Sequence, residues 1–204
     1  MGKLIVTNII SLDGNYEGPG KNVMTLPMDP AFDAYNLERI EAAAAVLLGG
    51  NSYRFFGGFW PGMVDHPAAS ETNREFARRY NQIPKVAVSS RLGDDDAPDA
   101  RKATSRFITS NTYEAVAKLK QETAGEIVMF ASRQLWNDLL VHGLVDELHF
   151  VVGNVVLGEG TPVFVKTIAY SDPTTTLALA ASRKLDGSNN HLVIYKVVSA
   201  GRTA

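Results

Sequence analysis

The chain has 204 residues, 45% hydrophobic and 21% charged, with 17 Gly and 9 Pro, an ordinary globular mixture that supports one large domain spanning 1–204 rather than two small ones. Lys and Arg number 20 against 22 Asp and Glu, so the formal charge of -2 supplies no basic footprint for nucleic acid or an anionic membrane. With no Cys there is no disulfide frame, thiolate nucleophile or cysteine-based metal site, which agrees with a cytoplasmic address. No apolar run approaches the length of a membrane span, so a soluble protein is expected.

In chain order, Lys3 to Ile10 is β-branched and apolar on both alternating faces, which predicts a central strand buried on both sides. The following SLDGNYEGPGKN concentrates turn residues and predicts a long mobile loop. Asp29-Pro30 is an N-cap followed by a proline at the first helical position, predicting a helix through Ala44 and then a short strand, Ala45 to Leu48. Ser70 caps a predicted helix through about Tyr80, with Phe76 and Tyr80 on one face, and the strand PKVAVSS follows from Pro84. After a polar loop, Gly93 to Asp99, come the strand RFIT and a helix opened by Asn111 and Glu114 in a capping-box pattern and stopped by Gly125. Glu126 to Phe130 is the next strand. A helix capped at Ser132 then carries Leu135, Trp136, Leu139 and Leu140 on one stripe and ends at Gly143. Beyond Val145 the strands DELHFVV, TTTLALAAS and HLVIYKVV have no helices between them, the last two joined by an Asp186-Gly187 turn. The whole predicts a three-layer α/β domain, its mixed sheet mostly parallel, with an antiparallel C-terminal edge hairpin.

Two turns leave strands through small residues, VLLGGNSY and VMFASRQL. At the carboxyl ends of parallel strands such turns present helix N-termini to phosphate oxygens. Gly49, Gly50, Asn51 and Ser52 form one candidate cradle, Ala131 and Ser132 the other. Either turn alone reads more readily as a tight turn with an N-cap. Ser89-Ser90-Arg91 closes a third strand with hydroxyls and a guanidinium, a match for the 2′-phosphate that separates NADPH from NADH, or else a solvated strand end.

Reduction of a C=N or C=O bond needs a proton source, and the candidate acids are Asp13 and Asp33. Asp13 also suits a plain Asp-Gly turn, and Asp33 a helix N-terminus. Trp60 is placed either to stack a flat heterocycle or to cover the core. The four His residues show no metal-ligand spacing, so no metal is expected. A serine hydrolase is the rival reading: Gly50-Asn51-Ser52-Tyr53-Arg54 follows a strand, and Asp146 and His149 come later in the matching order, although Arg54 occupies the place of a glycine.

The succession SLDG, LLGGNSY, VSSRL, FASRQLWNDLLVHGLVDELHF and VVLGEGTPVF, spread from Lys3 to Val198, resembles the dihydrofolate-reductase-like proteins related to the C-terminal reductase domain of the bacterial riboflavin-pathway deaminase-reductase. The resemblance implies an NADPH-dependent reductase, with NADH also possible, of the kind that includes 5-amino-6-(5-phosphoribosylamino)uracil reductase. It also implies a pterin- or pyrimidine-like substrate and a homodimer. It assigns Gly49–Ser52 to the family's Gly-Arg-x-Thr turn, Ser90 and Arg91 to the 2′-phosphate site, and Ala131, Ser132, Arg133, Gln134 and Leu135 to the pyrophosphate turn. Trp60 and the loop Gly158-Glu159-Gly160 then line the substrate side. Two positions depart: Gly50 stands where the family usually has Arg, and Ala131 where it usually has Gly, which reduces cofactor affinity or alters its preference. Asp33 precedes Gly49 at a separation like that of the substrate-binding acid in dihydrofolate reductases proper. A non-catalytic nucleotide-binding protein of the same fold is the remaining alternative.

Overall fold

The computed structural model describes residues 1–97, 102–165 and 175–199. Its main sheet is built from β1 (Lys3–Ile10), β3 (Ala43–Gly49), β4 (Lys85–Val88), β5 (Ser105–Ile108), β6 (Glu126–Phe130), β7 (Glu147–Val152), β9 (Thr175–Lys184) and β10 (His191–Ser199), in the order β5-β4-β3-β6-β1-β7-β10-β9. The first six pair in parallel, and β10 pairs antiparallel with both β7 and β9. β1 lies between β6 and β7 and is buried along nearly its whole length, as its doubly apolar sequence demands.

Alternation along the strands divides the interior. Leu4 and Val6 of β1, Ile127 and Met129 of β6, and Leu148 and Phe150 of β7 pack on one face against α4 (Thr112–Glu122) and α5 (Arg133–Val141), around the fully buried Trp136. On the other face, Val46 and Leu48 of β3 with Val128 and Phe130 of β6 meet α1 (Pro30–Ala42), α2 (Gly50–Met63) and α3 (Glu71–Gln82) through Ile40, Tyr53, Phe76 and Tyr80. Ile9, Tyr35, Val151 and Leu192 continue that face toward β10. No helix among the described residues is long and apolar enough to cross a membrane.

The structure corrects several sequence expectations. The segment after β1 is not a long open loop: it holds β2 (Asn15–Glu17) and two short 3-10 turns, and β2 pairs with β8 (Thr161–Pro162). The first helix ends at Ala42 because Ala43 is already extended and pairs with Glu126, so β3 begins two residues before its predicted start. The helix opening at Gly50 runs on to Met63, an extent that local pattern does not mark, since GNSYRFFGGFWPGM has weak helix formers and an internal Pro61. Tertiary contact overrides that weakness: Tyr53 is buried and bonded to the Ser105 hydroxyl at 2.9 Å, and Phe56 and Trp60 pack toward Tyr80 and Phe76. Asn111 and Ser132 both precede helices, but their backbones are left-handed (φ 49° and 53°) and neither side chain caps its helix. The predicted loop end at Asp99 and the Thr174 start of a strand lie outside the described residues.

The α1 face also buries a polar chain. Tyr35 donates its hydroxyl to His149 Nδ1 at 2.6 Å, while His149 Nε2–H donates to the Glu147 carboxylate at 3.1 Å, which in turn accepts from Lys3 Nζ. Burial lowers the pKa of His149 and raises that of Tyr35 to about 12, so this unit is built for a neutral imidazole. The unfolded chain therefore takes up a proton before the folded one does. The stability His149 contributes is complete above pH about 6.5 and is lost as pH falls toward its lower folded value. In denaturant unfolding, His149→Gln should lose about 1–3 kcal/mol at pH 8 but show a smaller further decline between pH 6.5 and 5 than the parent. Parallel declines in the two proteins would dissociate His149 from the acid sensitivity.

Candidate functional site

Because the first six strands of the main sheet are parallel, the segments that follow them emerge at one edge. β3 and β6 are neighbours, and their exits are tied directly: the Gly49 amide donates to the Ser132 hydroxyl at 3.0 Å, and the Ser132 amide donates to the Ser52 hydroxyl at 3.1 Å. On the other side of β3, a Cβ at Gly50 would stand 2.8 Å from Ser89 Oγ and 3.3 Å from Leu92 Cδ1. The three turns singled out from the sequence therefore adjoin. α2 starts at Gly50 and α5 at Arg133, so the amides of Gly50, Asn51, Ser52, Arg133, Gln134 and Leu135 belong to first turns that lack intrahelical acceptors. Together with the positive ends of two helix dipoles they form a donor set suited to a diphosphate.

Ala131 and Ser132 are consecutive non-glycine residues at positive φ, 50° and 53°. That conformation costs roughly 1–2 kcal/mol per residue. The lacing to Gly49 and Ser52 holds it in place, and it turns the chain sharply from β6 into α5.

The remaining candidates fall into distinct positions. Asn51, Ser90, Arg91 and Gln134 are exposed. The Arg91 amide donates to Ser89 Oγ at 3.2 Å, and its guanidinium has no acidic partner among the described residues. The Arg133 guanidinium donates to the carbonyls of Pro162 at 2.5 Å and Phe164 at 3.1 Å, fastening the segment around β8 to the start of α5, while the Arg133 amide belongs to the first turn of α5. Leu135 is half-buried beside Gly49.

Asp13 is ionised and committed. Bonds from the Ser11 hydroxyl and from the Leu157 and Gly158 amides, the last at 2.8 Å, hold its carboxyl down to about 2. It joins the loop after β1 to the loop after β7, bringing Gly158, Glu159 and Gly160 alongside. Gly160 must be glycine, since a Cβ would lie 2.3 Å from the Glu17 carbonyl oxygen. Asp33 is different: burial raises its pKa, although Asn73 Nδ2 donates to it at 3.2 Å. Trp60 is half-buried and lies 4.2 Å from the Phe76 ring centroid, with Phe56 and Phe59 on other sides, so it covers the aromatic core. Two open hollows, about 270 and 280 Å³, lie elsewhere, near β5 and the amino ends of β3 and β4.

The hydrolase arrangement is overturned. Ser52 Oγ sits past the carboxyl end of β3, whereas Asp146 precedes β7 at the opposite edge, where it accepts from the Leu4 amide at 2.7 Å and pairs with Lys120 at 2.6 Å. His149 is buried within β7, bonded to Tyr35 and Glu147 rather than to Ser52. Sequence reasoning passed over Tyr35, which carries no local signal, and the Arg54–Asp96 ion pair at 3.2 Å.

The strain at Ala131 is measurable. An ordinary helix or strand Ala→Gly loses about 0.5–1 kcal/mol. Here Ala131→Gly should keep or raise the denaturant midpoint; a loss of ordinary size would remove the strain.

Comparison with known proteins places these features in context. The family model described as the RibD C-terminal domain matches residues 2–189. An uncharacterized protein of Bacillus subtilis (strain 168), YyaP, is 28% identical over 163 residues, 80% of either chain. A pyrimidine reductase-like protein from Corynebacterium diphtheriae superposes with a TM-score of 0.62 at 16% identity, over 98% of this chain and 93% of that one. Dihydrofolate reductase from Enterococcus faecalis, solved in complex with NADP(H), gives 0.57 at 14% identity over 96% of each. The fold is thus dihydrofolate-reductase-like.

Proposed function

This chain belongs to the RibD C-terminal domain family, and we propose that it is an NAD(P)H-dependent reductase, with NADPH as its cofactor, acting on a pterin- or pyrimidine-like heterocycle or imine in riboflavin- or folate-type chemistry. The observation that carries this reading is the convergence of the turns after β3, β4 and β6 into one donor-rich edge. The NADP(H)-bound state of one structural relative and the reductase names of two support the same assignment. In this reading residues 1–204 work as a single domain. The cysteine-free composition suits a cytoplasmic setting, and the family resemblance suits a homodimer.

The first-turn amides of α2 and α5 and the Ser52 hydroxyl hold the diphosphate, with Ser90 and Arg91 on the 2′-phosphate. A bound reduced nicotinamide supplies hydride. The chain supplies placement and a proton. Asp33 is the acid of this reading, since burial shifts its pKa upward, and Asn73 Nδ2 donates to its carboxyl at 3.2 Å. Asp13 stays ionised across the working pH range and positions the 157–160 loop instead of donating. Glu159 and the flanking glycines border the substrate, and Trp60 stiffens the α2 wall.

Titration of the purified protein with NADPH and NADH, followed by nicotinamide fluorescence, should give saturable binding below millimolar concentration. Absence of binding for both would end the reductase reading. Arg91→Ala should weaken NADPH about tenfold or more and NADH far less, the size of a lost charge-assisted contact; equal losses would deny Arg91 the 2′-phosphate. Against a panel of pterins, flavins and pyrimidines, Asp33→Asn should keep cofactor affinity while slowing cofactor oxidation about 10²-fold or more. Binding with no oxidation by the parent across the panel would favour a non-catalytic nucleotide binder.

A further inference from the structure

We infer that Arg54 is the second cation of the 2′-phosphate subsite, standing in for the side chain that position 50 cannot carry, and that Asp96 is its built-in competitor. This rests on the cofactor reading above and adds the residues that set the choice between NADPH and NADH.

Position 50 is closed to any side chain. A Cβ there would approach Ser89 Oγ to 2.8 Å and Ser89 Cβ to 2.9 Å, closer than real Cβ contacts allow. Residue 54 lies one helical turn further along α2, on the same face as Gly50. That face receives the loop leaving β4: Ser89 and Leu92 lie against Gly50, and four residues later Asp96 meets Arg54 Nη2 at 3.2 Å. The loop is shaped to deliver that carboxylate, since the Gly93 amide donates to Asp96 Oδ2 at 2.9 Å while the Asp96 amide donates back to the Gly93 carbonyl at 2.9 Å. Arg54 is therefore tied to the same short loop that carries the Ser89 and Ser90 hydroxyls and Arg91.

The Arg54–Asp96 pair is solvent-facing, with side chains 56% and 32% exposed. Exposed ion pairs are weak, and a phosphomonoester near neutral pH carries nearly two charges and three acceptor oxygens where a carboxylate carries one charge. A 2′-phosphate can displace Asp96 from the guanidinium; a ribose hydroxyl cannot. NADPH then gains Arg54 at the cost of the ion pair, whereas NADH leaves the pair intact.

Dissociation constants for NADPH and NADH, read by nicotinamide fluorescence, test this in the parent, Arg54→Gln, Asp96→Asn and the double variant. Arg54→Gln should weaken NADPH about tenfold and NADH less than about twofold. Asp96→Asn should tighten NADPH about threefold, and that gain should vanish when Arg54 is already Gln, since it acts only through the guanidinium. If Arg54→Gln affects both cofactors alike or neither, or if Asp96→Asn tightens NADPH equally in the Arg54→Gln background, the inference falls while the cofactor reading stands. Failure of the parent to bind either cofactor overturns both.

Discussion

Two hydrogen bonds, Gly49 amide to Ser132 hydroxyl and Ser132 amide to Ser52 hydroxyl, fasten the exit of β3 to the exit of β6, and the arrangement of the candidate site depends on them. They exist because of topology. β3, β4 and β5 run outward in sequence, and the chain then returns to insert β6 between β3 and β1. In a parallel sheet that return brings two helix starts, separated by some eighty residues of chain, side by side. One serine serves both strands, accepting with its hydroxyl and donating with its amide.

The two edges of the sheet are held by different means. At the amino edge, Lys120 is buried and reaches both Asp146 and the Leu144 carbonyl, while Asp146 also accepts from the Leu4 amide, so α4, β7 and β1 share one network. A buried cation without those partners would be costly. At the carboxyl edge, loops are joined by single side chains that reach backbone groups: Asp13 to residues 157 and 158, and Arg133 to residues 162 and 164. The amino edge thus holds strands to a helix, and the carboxyl edge aligns the loops that border the proposed ligand.

Much of this was legible in the sequence. The doubly apolar run of β1, the Asp29-Pro30 start of α1, the Glu126–Phe130 strand and the apolar stripe of α5 follow from local pattern, and the structure has each. The small-residue turns after β3, β4 and β6 stand out in the sequence, and in the fold they adjoin. What remained hidden depends on partners distant in sequence. Nothing within GNSYRFFGGFWPGM marks a helix; its aromatic residues need α3 and β6 to pack against. Ser132 looked like an N-cap because serine before an apolar stripe usually is one, yet its hydroxyl is taken by Gly49 across the sheet. The side-chain bonds of Asp13 and Arg133 were hidden because their partners lie 144 and 29 residues away.

The left-handed pair Ala131-Ser132 also limits how this chain can vary. A β-branched side chain at 131 would add methyl crowding to a backbone that already tolerates alanine only under constraint, so Val, Ile and Thr are barred there while Gly and Asn remain open. At 132 the position must supply a hydroxyl as well as accept positive φ, which leaves serine nearly alone. The narrow choice at these two neighbouring positions is set by torsional geometry before any demand of ligand chemistry is added.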